Sequence, residues 1–301
     1  MSDQLTDSER HETNTVRDDG DRVETGRVSL VGAGPGDPEL LTVKARRLID
    51  EADIILHDKL SGPDILADIS PDRREDVGTR GGGERTPQQA VNERLVALAR
   101  EGNHVVRLKG GDPTVFGRGG EEMLYLAAHD IPFEVVPGVT SAIAGPNVAG
   151  IPVTHRDHAS SVTFVTGHEN PAKAESAVDW DALAATGGTL VVLMGVGRLP
   201  EYTAALVEAG MDPETPVAMV ERATWPNQRV ITGTLVTIVE EAETAGIEPP
   251  AVTIIGGVAG VRTQVAETLM TAAYEQTTAQ HHSAMIQRPT EANADTDSQT
   301  D

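Results

Sequence analysis

The chain contains no cysteine, which excludes disulfides, thiolate metal sites and a cysteine nucleophile. Aromatic residues make up only 3% of it, and 24 Lys plus Arg stand against 47 Asp plus Glu, a formal net charge of −23. Duplex nucleic acid demands a basic face, so DNA and RNA are excluded as partners. No apolar run approaches the length of a membrane span. The opening residues are acidic and polar with no h-region, so no secretory signal is expected and the cytoplasm is the expected compartment. Lysine is scarce and carboxylates abundant, which fits a folded protein in a salt-rich cytoplasm where screening removes most of the self-repulsion.

With 301 residues there is length for two medium domains. Residues 1–25 and 276–301 lack a periodic apolar face and are expected to be disordered tails. His281 and His282 in the second tail lack a fixed third ligand, so no metal is expected there. Between the tails strands and helices alternate. Arg27–Val31, Asp53–His57, Val105–Leu108 and Phe133–Val136 read as strands. Helices are expected from Thr42 to Glu51, from a capping box at Thr86-Pro87-Gln88-Gln89 to Arg100, and from Glu121 to His129. This βα alternation predicts a mostly parallel sheet with helices on its faces. Pro137-Gly138-Val139-Thr140-Ser141 breaks the pattern, which puts a junction between units 26–138 and 139–275. The second unit restarts with strands at Val162–Val165, Thr189–Leu193, Val217–Val220, Gln228–Ile231 and Ala251–Ile255. Val220 to Ile231 leaves room for a loop but not a helix, so an antiparallel pair and a mixed sheet are expected there.

The organising stretch is Lys109-Gly110-Gly111-Asp112-Pro113-Thr114-Val115-Phe116-Gly117-Arg118-Gly119-Gly120-Glu121-Glu122. It holds five glycines, set among charges, between a strand and a helix. An ordinary turn needs one or two, whereas a ligand that must touch bare backbone needs more. A loop at the carboxyl end of a parallel strand is where open α/β sheets bind ligands. A second such loop, Gly32-Ala33-Gly34-Pro35-Gly36-Asp37, follows the first strand. It departs from the dinucleotide fingerprint, because Asp37 sits where glycine is needed and would repel a pyrophosphate. No glycine-lysine-Ser/Thr follows either loop, so the Walker pattern is absent. Both loops therefore suit a nucleoside with little or no phosphate.

These residues resemble a known family. Val31 to Pro38, Arg107 to Pro113 with Val115 to Glu122, and Pro137-Gly138-Val139-Thr140-Ser141 are similar to the motifs of the tetrapyrrole methyltransferases. Gly150-Ile151-Pro152-Val153-Thr154-His155-Arg156 and Thr166-Gly167-His168 narrow the resemblance to the branch that methylates uroporphyrinogen III. It runs from about Arg27 to Val258. The resemblance implies a homodimer of two α/β domains with an active-site cleft between them, in which S-adenosylmethionine lies folded. It implies cofactor contacts at Pro35, Gly110, Gly111, Asp112, Val115, Thr140, Ser141, Met194 and Ala223, and no metal. Without it, Met194 reads equally well as core after its strand, and Ala223 as a plain loop residue.

The implied reaction is attack of an electron-rich pyrrole carbon on a sulfonium methyl group, twice, giving precorrin-2 for sirohaem and cobalamin synthesis. The resemblance assigns the proton acceptor to Asp58. A surface Asp58 paired with Lys59 is the plainer alternative. There is one departure: the family's Gly-Lys-Arg, whose lysine is assigned as proton donor, reads Gly78-Thr79-Arg80 here. The implied substrate carries eight carboxylates, for which Arg46, Lys59, Arg80, Arg85, Arg118 and Arg156 are the cations in or near the motif loops. A later precorrin methyltransferase, a diphthine synthase and a non-catalytic S-adenosylmethionine sensor remain alternatives, with a nicotinamide dehydrogenase the weakest.

Overall fold

The computed structural model describes residues 24–78, 86–169, 171 and 177–265. Both expected tails fall almost wholly outside these residues. So do Thr79, Arg80 and Arg85.

Among the described residues ten strands form two sheets of five. The first contains β1 (Arg27–Gly32), β2 (Ile54–His57), β3 (Arg74–Asp76), β4 (His104–Lys109) and β5 (Phe133–Val136), in the order β3-β2-β4-β1-β5. Every pairing in it is parallel. The helices between these strands are α1 (Val43–Glu51), α2 (Pro63–Ala67), α3 (Gln88–Arg100) and α4 (Gly119–Ala128). The apolar residues of α1 and α2, among them Ala45, Leu48 and Ile65, pack on one face with Val31, Ile55, Val106 and Leu108. Those of α3 and α4, including Val91, Leu95 and Leu126, pack on the other with Leu30, Leu56 and Val105. Alternation along the strands, whose side chains point to opposite faces in turn, produces this division.

The second sheet contains β6 (Val162–Thr166), β7 (Thr189–Leu193), β8 (Pro216–Glu221), β9 (Arg229–Thr234) and β10 (Ala251–Ile255), in the order β6-β7-β10-β8-β9. Strands β6 and β7 are parallel, β10 runs antiparallel to β7 and β8, and β8 and β9 are the expected antiparallel pair. Helix α5 (Ser141–Val148) lies with Val191, Ala218 and Ile254 on one face of this sheet. Helices α6 (Trp180–Thr186), α7 (Leu199–Glu208) and α8 (Ile238–Ala245) cover the other, where Tyr202 and Ile238 are fully buried. A four-residue α9 (Val261–Gln264) follows β10. Among the described residues no helix is long and apolar enough to cross a membrane.

Some elements differ from the sequence reading. Strand β3 and helices α2 and α6 are short, three, five and seven residues, too short to show a period. Helix α3 starts at Gln88 with Pro87 at its cap position and no side-chain cap bond, so the expected capping box does not form. Gln88 instead donates to Asn92 (3.0 Å) and Glu122 (3.0 Å), and Gln89 to Glu93 (2.8 Å). Thr42 does cap α1, accepting from the Ala45 amide at 3.1 Å.

The fold places the site through its crossovers. The chain leaves β1 and β2 toward the α1/α2 face and leaves β4 toward the α3/α4 face. Central β4 lies between β2 and β1, so a crevice opens at the carboxyl end of β4 on both sides, as at any switch of crossover direction. Backbone contact between loops closes one side. A Cβ at Gly138 would sit 2.3 Å from the Gly111 carbonyl oxygen and 2.7 Å from Gly32 Cα. At Gly120, by contrast, an added Cβ meets nothing within 4 Å. Gly138→Ala should therefore destabilise by about 1–3 kcal/mol, as overpacking does, while Gly120→Ala, near the start of α4, should be neutral or stabilising by up to about 1 kcal/mol. Thermal unfolding of both variants at one salt concentration checks this; equal melting temperatures would contradict the contact.

Candidate active site

Gly34 and Gly111 exchange two backbone hydrogen bonds. The Gly34 amide donates to the Gly111 carbonyl at 3.1 Å, and the Gly111 amide donates back at 2.7 Å. Both residues have positive φ, 71° and 68°, a conformation that glycine adopts without cost. The Ala33 amide donates to the Lys109 carbonyl at 2.7 Å, extending the β1–β4 ladder to the same point. Asp112 fastens a third loop. Its Oδ1 accepts from the Thr114 amide (2.8 Å) and hydroxyl (2.6 Å), and its Oδ2 accepts from the Gly138 amide at 3.1 Å.

The glycines expected to bare their backbone to a ligand mostly meet the chain itself. Gly117 and Gly119 pack on the Pro113 carbonyl, where a Cβ would come to 2.6 and 2.4 Å, and Gly110 packs on the Leu60 carbonyl at 2.4 Å. Gly111 is different: a Cβ there would have only ordinary contacts, 3.7 Å to Thr140 Cα and to the Ser141 amide nitrogen. Gly111 thus faces the start of α5, where Thr140 is the N-cap residue.

Met194 and Ala223 come from the second sheet, just past β7 and β8. Met194 is not core: it has φ of 57° and is 50% exposed. Non-glycine residues in the left-handed region cluster at functional sites. Ala223 is buried, flanked by Arg222 (φ 47°) and Thr224 (φ 69°), with its Cβ 3.8 Å from where a Gly145 side chain would begin. Pro35 lies on the loop after β1, and its carbonyl accepts from the Trp225 indole at 3.0 Å. Val115 and Ser141 are half-buried on the loop after β4 and the first turn of α5.

On the other side of β4, Asp58 directly follows β2. Its partner is Arg107 (Nη2 to Oδ2, 3.4 Å), not Lys59. Its Oδ1 accepts from Ser61 Oγ at 3.3 Å and from the Gly110 amide at 3.4 Å. The carboxylate is 28% exposed, so one side of it remains open to solvent. Arg107 in turn belongs to a buried ion cluster that sequence reasoning missed. Glu122, on α4 and fully buried, takes Arg107 Nε at 3.1 Å and Lys109 Nζ at 3.0 Å on the same oxygen. Its other oxygen has no hydrogen-bond partner among the described residues. Burial, then the neighbouring Arg107 cation, push the Lys109 ammonium down from its ordinary value of 10.5 against the pull of Glu122. The signal was present: Arg107 and Lys109 are charges at i and i+2 in an otherwise apolar, central parallel strand, where a charge must find a partner.

The expected cations are scattered. Arg46 pairs with Asp68 at 3.5 Å, and Arg118 forks onto Glu121 at 2.9 and 2.6 Å. Lys59 and Arg156 are exposed, and no ion pair holds either among the described residues.

Comparison with known proteins gives a consistent result. The family model for tetrapyrrole (corrin/porphyrin) methylases matches residues 27–239. An S-adenosyl-L-methionine-dependent uroporphyrinogen III methyltransferase of Methanosarcina barkeri is 56% identical over 235 residues, 77% of this chain and 92% of that one. A siroheme synthase of Nitrosomonas europaea is 47% identical over 247 residues, and this chain spans about half of it, 52%. The crystal structure of a Thermus thermophilus uroporphyrin-III C-methyl transferase complexed with S-adenyl homocysteine matches with a TM-score of 0.67 and 43% identity, covering 78% of this chain and 100% of that one.

Glu122→Gln tests the ion cluster. It leaves buried Lys109 without a paired carboxylate and Arg107 with Asp58 alone, and breaking a buried pair costs roughly 3–5 kcal/mol. The sign with pH also follows. The folded state holds the Lys109 proton less tightly than the unfolded chain does, so the unfolded chain binds more protons and stability rises with pH toward the ordinary lysine range. Removing Glu122 should steepen that rise. Melting curves taken from neutral to alkaline pH check both points; a variant as stable as the parent would contradict the cluster.

Proposed function

The chain belongs to the tetrapyrrole (corrin/porphyrin) methylases, and from that premise we propose that it methylates uroporphyrinogen III, using S-adenosylmethionine twice to give precorrin-2 for sirohaem and cobalamin synthesis. One observation carries the reading: the Methanosarcina barkeri methyltransferase is matched over 92% of its length at 56% identity. The half-length match to siroheme synthase extends only to the part that this chain spans. The same reading takes 26–138 and 139–275 as the two units, a homodimer as the assembly and a salt-rich cytoplasm as the compartment.

The residues present fit the cofactor. Gly111 opens toward Thr140 and Ser141 without a side chain in the way. Met194 brings left-handed backbone from the second sheet, and Ala223 stands between two further left-handed residues there. Such a surface, uncharged and built of backbone, suits a nucleoside with no phosphate. When bound, S-adenosylmethionine supplies an electrophilic methyl group on a positively charged sulfur. Pro35, Gly110, Asp112 and Val115 would complete the cradle around it. Asp112 joins two loops there through Thr114 and Gly138, and its Oδ2, with one donor in place, keeps a lone pair to accept from the ribose or the amino group.

The substrate carbon is electron-rich and the leaving thioether neutral, so the protein's work is to orient the partners and keep water out. Asp58 is the proposed proton acceptor. Its bonds to Arg107, Ser61 and Gly110 fix the carboxylate at the lip of the same β4 crevice. Lys59 and Arg156 would meet substrate carboxylates, with the outer cations Arg46 and Arg118 available only by exchanging Asp68 and Glu121 for substrate.

Methyl-labelled S-adenosylmethionine and uroporphyrinogen III incubated with the protein should give a product carrying two labels. Binding without transfer would make the chain a sensor and overturn the reading. Within it, the two aspartates should separate. Asp58→Asn should slow single-turnover transfer by about 10²–10⁴, the usual worth of a general base, and leave S-adenosylhomocysteine affinity nearly unchanged. Asp112→Ala should weaken that affinity by about 1.5–3 kcal/mol, the scale of a charge-assisted hydrogen bond. Calorimetry with equal losses for both would show the roles misassigned.

A further inference from the structure

Trp225 joins the two halves of the molecule at the cofactor cleft. Its indole N–H donates to the Pro35 carbonyl at 3.0 Å across 190 positions of sequence. The ring lies directly on Gly36, where a Cβ would come within 2.1 Å of the indole nitrogen, and Gly36 has φ of 135°. No side chain other than hydrogen satisfies both conditions, so Gly36 is shaped to receive this indole. The underside of Gly36 rests on the loop after β2, where a Cβ at Gly62 would be 2.7 Å from the Gly36 carbonyl oxygen.

The turn that carries Trp225 is itself pinned. The Trp225 amide donates to the Arg222 carbonyl at 2.9 Å, the Arg222 amide to the Pro250 carbonyl at 2.9 Å, and the Thr224 amide to Gln228 Oε1 at 2.8 Å. Arg222 and Thr224 both keep positive φ, with Ala223 between them. On the facing side, Pro35 sits between Gly36 and Gly34, and Gly34 is bonded to Gly111. One hydrogen bond thus ties the Ala223 turn to the Gly34–Gly111 pair.

We propose that Trp225 is a positioning residue for methyl transfer: its indole clasps the turn after β8 to the loop after β1 and so fixes the spacing of the two walls that hold S-adenosylmethionine. This rests on the cofactor reading above. Trp225 touches the loop and not the reacting atoms, so its effect should fall on cofactor binding more than on turnover.

The test has two parts. In ¹⁵N-tryptophan-labelled full-length protein without ligand, the Trp225 indole N–H, identified by its loss in Trp225→Phe, should exchange slowly with solvent. Trp225→Phe keeps an aromatic ring beside Gly36 and removes the donor. It should weaken S-adenosylhomocysteine binding about 3- to 10-fold, in line with loss of one hydrogen bond. It should raise KM for S-adenosylmethionine by a similar factor, with a smaller change in kcat and a melting temperature close to that of the parent. Trp225→Leu, which also uncovers Gly36, should lose more. An indole that exchanges at the rate of free tryptophan overturns the clasp whatever the protein binds. A protected indole in a protein that binds no S-adenosylhomocysteine overturns the cofactor reading and the positioning role with it, and leaves the clasp standing. A protected indole with unchanged affinity in Trp225→Phe overturns the positioning role alone.

Discussion

Two backbone hydrogen bonds between Gly34 and Gly111 join the loops that leave β1 and β4, strands whose chains depart toward opposite faces of the first sheet. The bonds require both residues to hold positive φ and require Gly138 to come within van der Waals reach of Gly111 and Gly32. Asp112 then draws the loop after β5 onto the same point. Three loops that would otherwise move independently become one surface, and α5 starts from it. Such a surface costs little reorganisation when a ligand arrives, which is the physical meaning of preorganisation.

The buried cluster of Arg107, Lys109 and Glu122 supports the second half of the site from below. Burying three charges is expensive, and a cluster of this kind adds little to stability compared with apolar packing. It does fix a geometry. Glu122 holds Arg107, Arg107 holds Asp58, and Asp58 is left with one open side at the lip of the crevice. Thr79 stands where the resemblance implies a lysine, so the carboxylate of Asp58 carries the proposed acid–base role without a cation at that position.

Much of this was legible in the residues. Alternating apolar strands and amphipathic helices gave the parallel sheet, and the short span from Val220 to Ile231 gave the antiparallel β8–β9 pair. The motifs around Gly34, Gly111 and Thr140 pointed to the edge where the loops meet. What stayed hidden depends on contacts between distant residues. Gly110, Gly117 and Gly119 look like openings for a ligand in sequence, yet each answers to a carbonyl of the chain itself. Nothing in the sequence singles out Glu121 and Asp68 as the partners of Arg118 and Arg46. Met194 reads equally well as core or as a contact, because nothing local reveals that the chain turns left-handed after β7. Trp225 reads as a loop residue because its partner, Pro35, lies in the other half of the chain.

The central claim is that the loops form the cradle before any ligand binds. Amide hydrogen exchange of Gly34 and Gly111 in the ligand-free protein tests it most directly. The account predicts that both amides exchange on the order of 100-fold or more slower than unstructured glycine, opening only with the surrounding sheet, and that saturating S-adenosylhomocysteine changes this little. Amides that exchange freely in the ligand-free protein and become protected only on binding would show that the ligand assembles the cradle, contradicting the account.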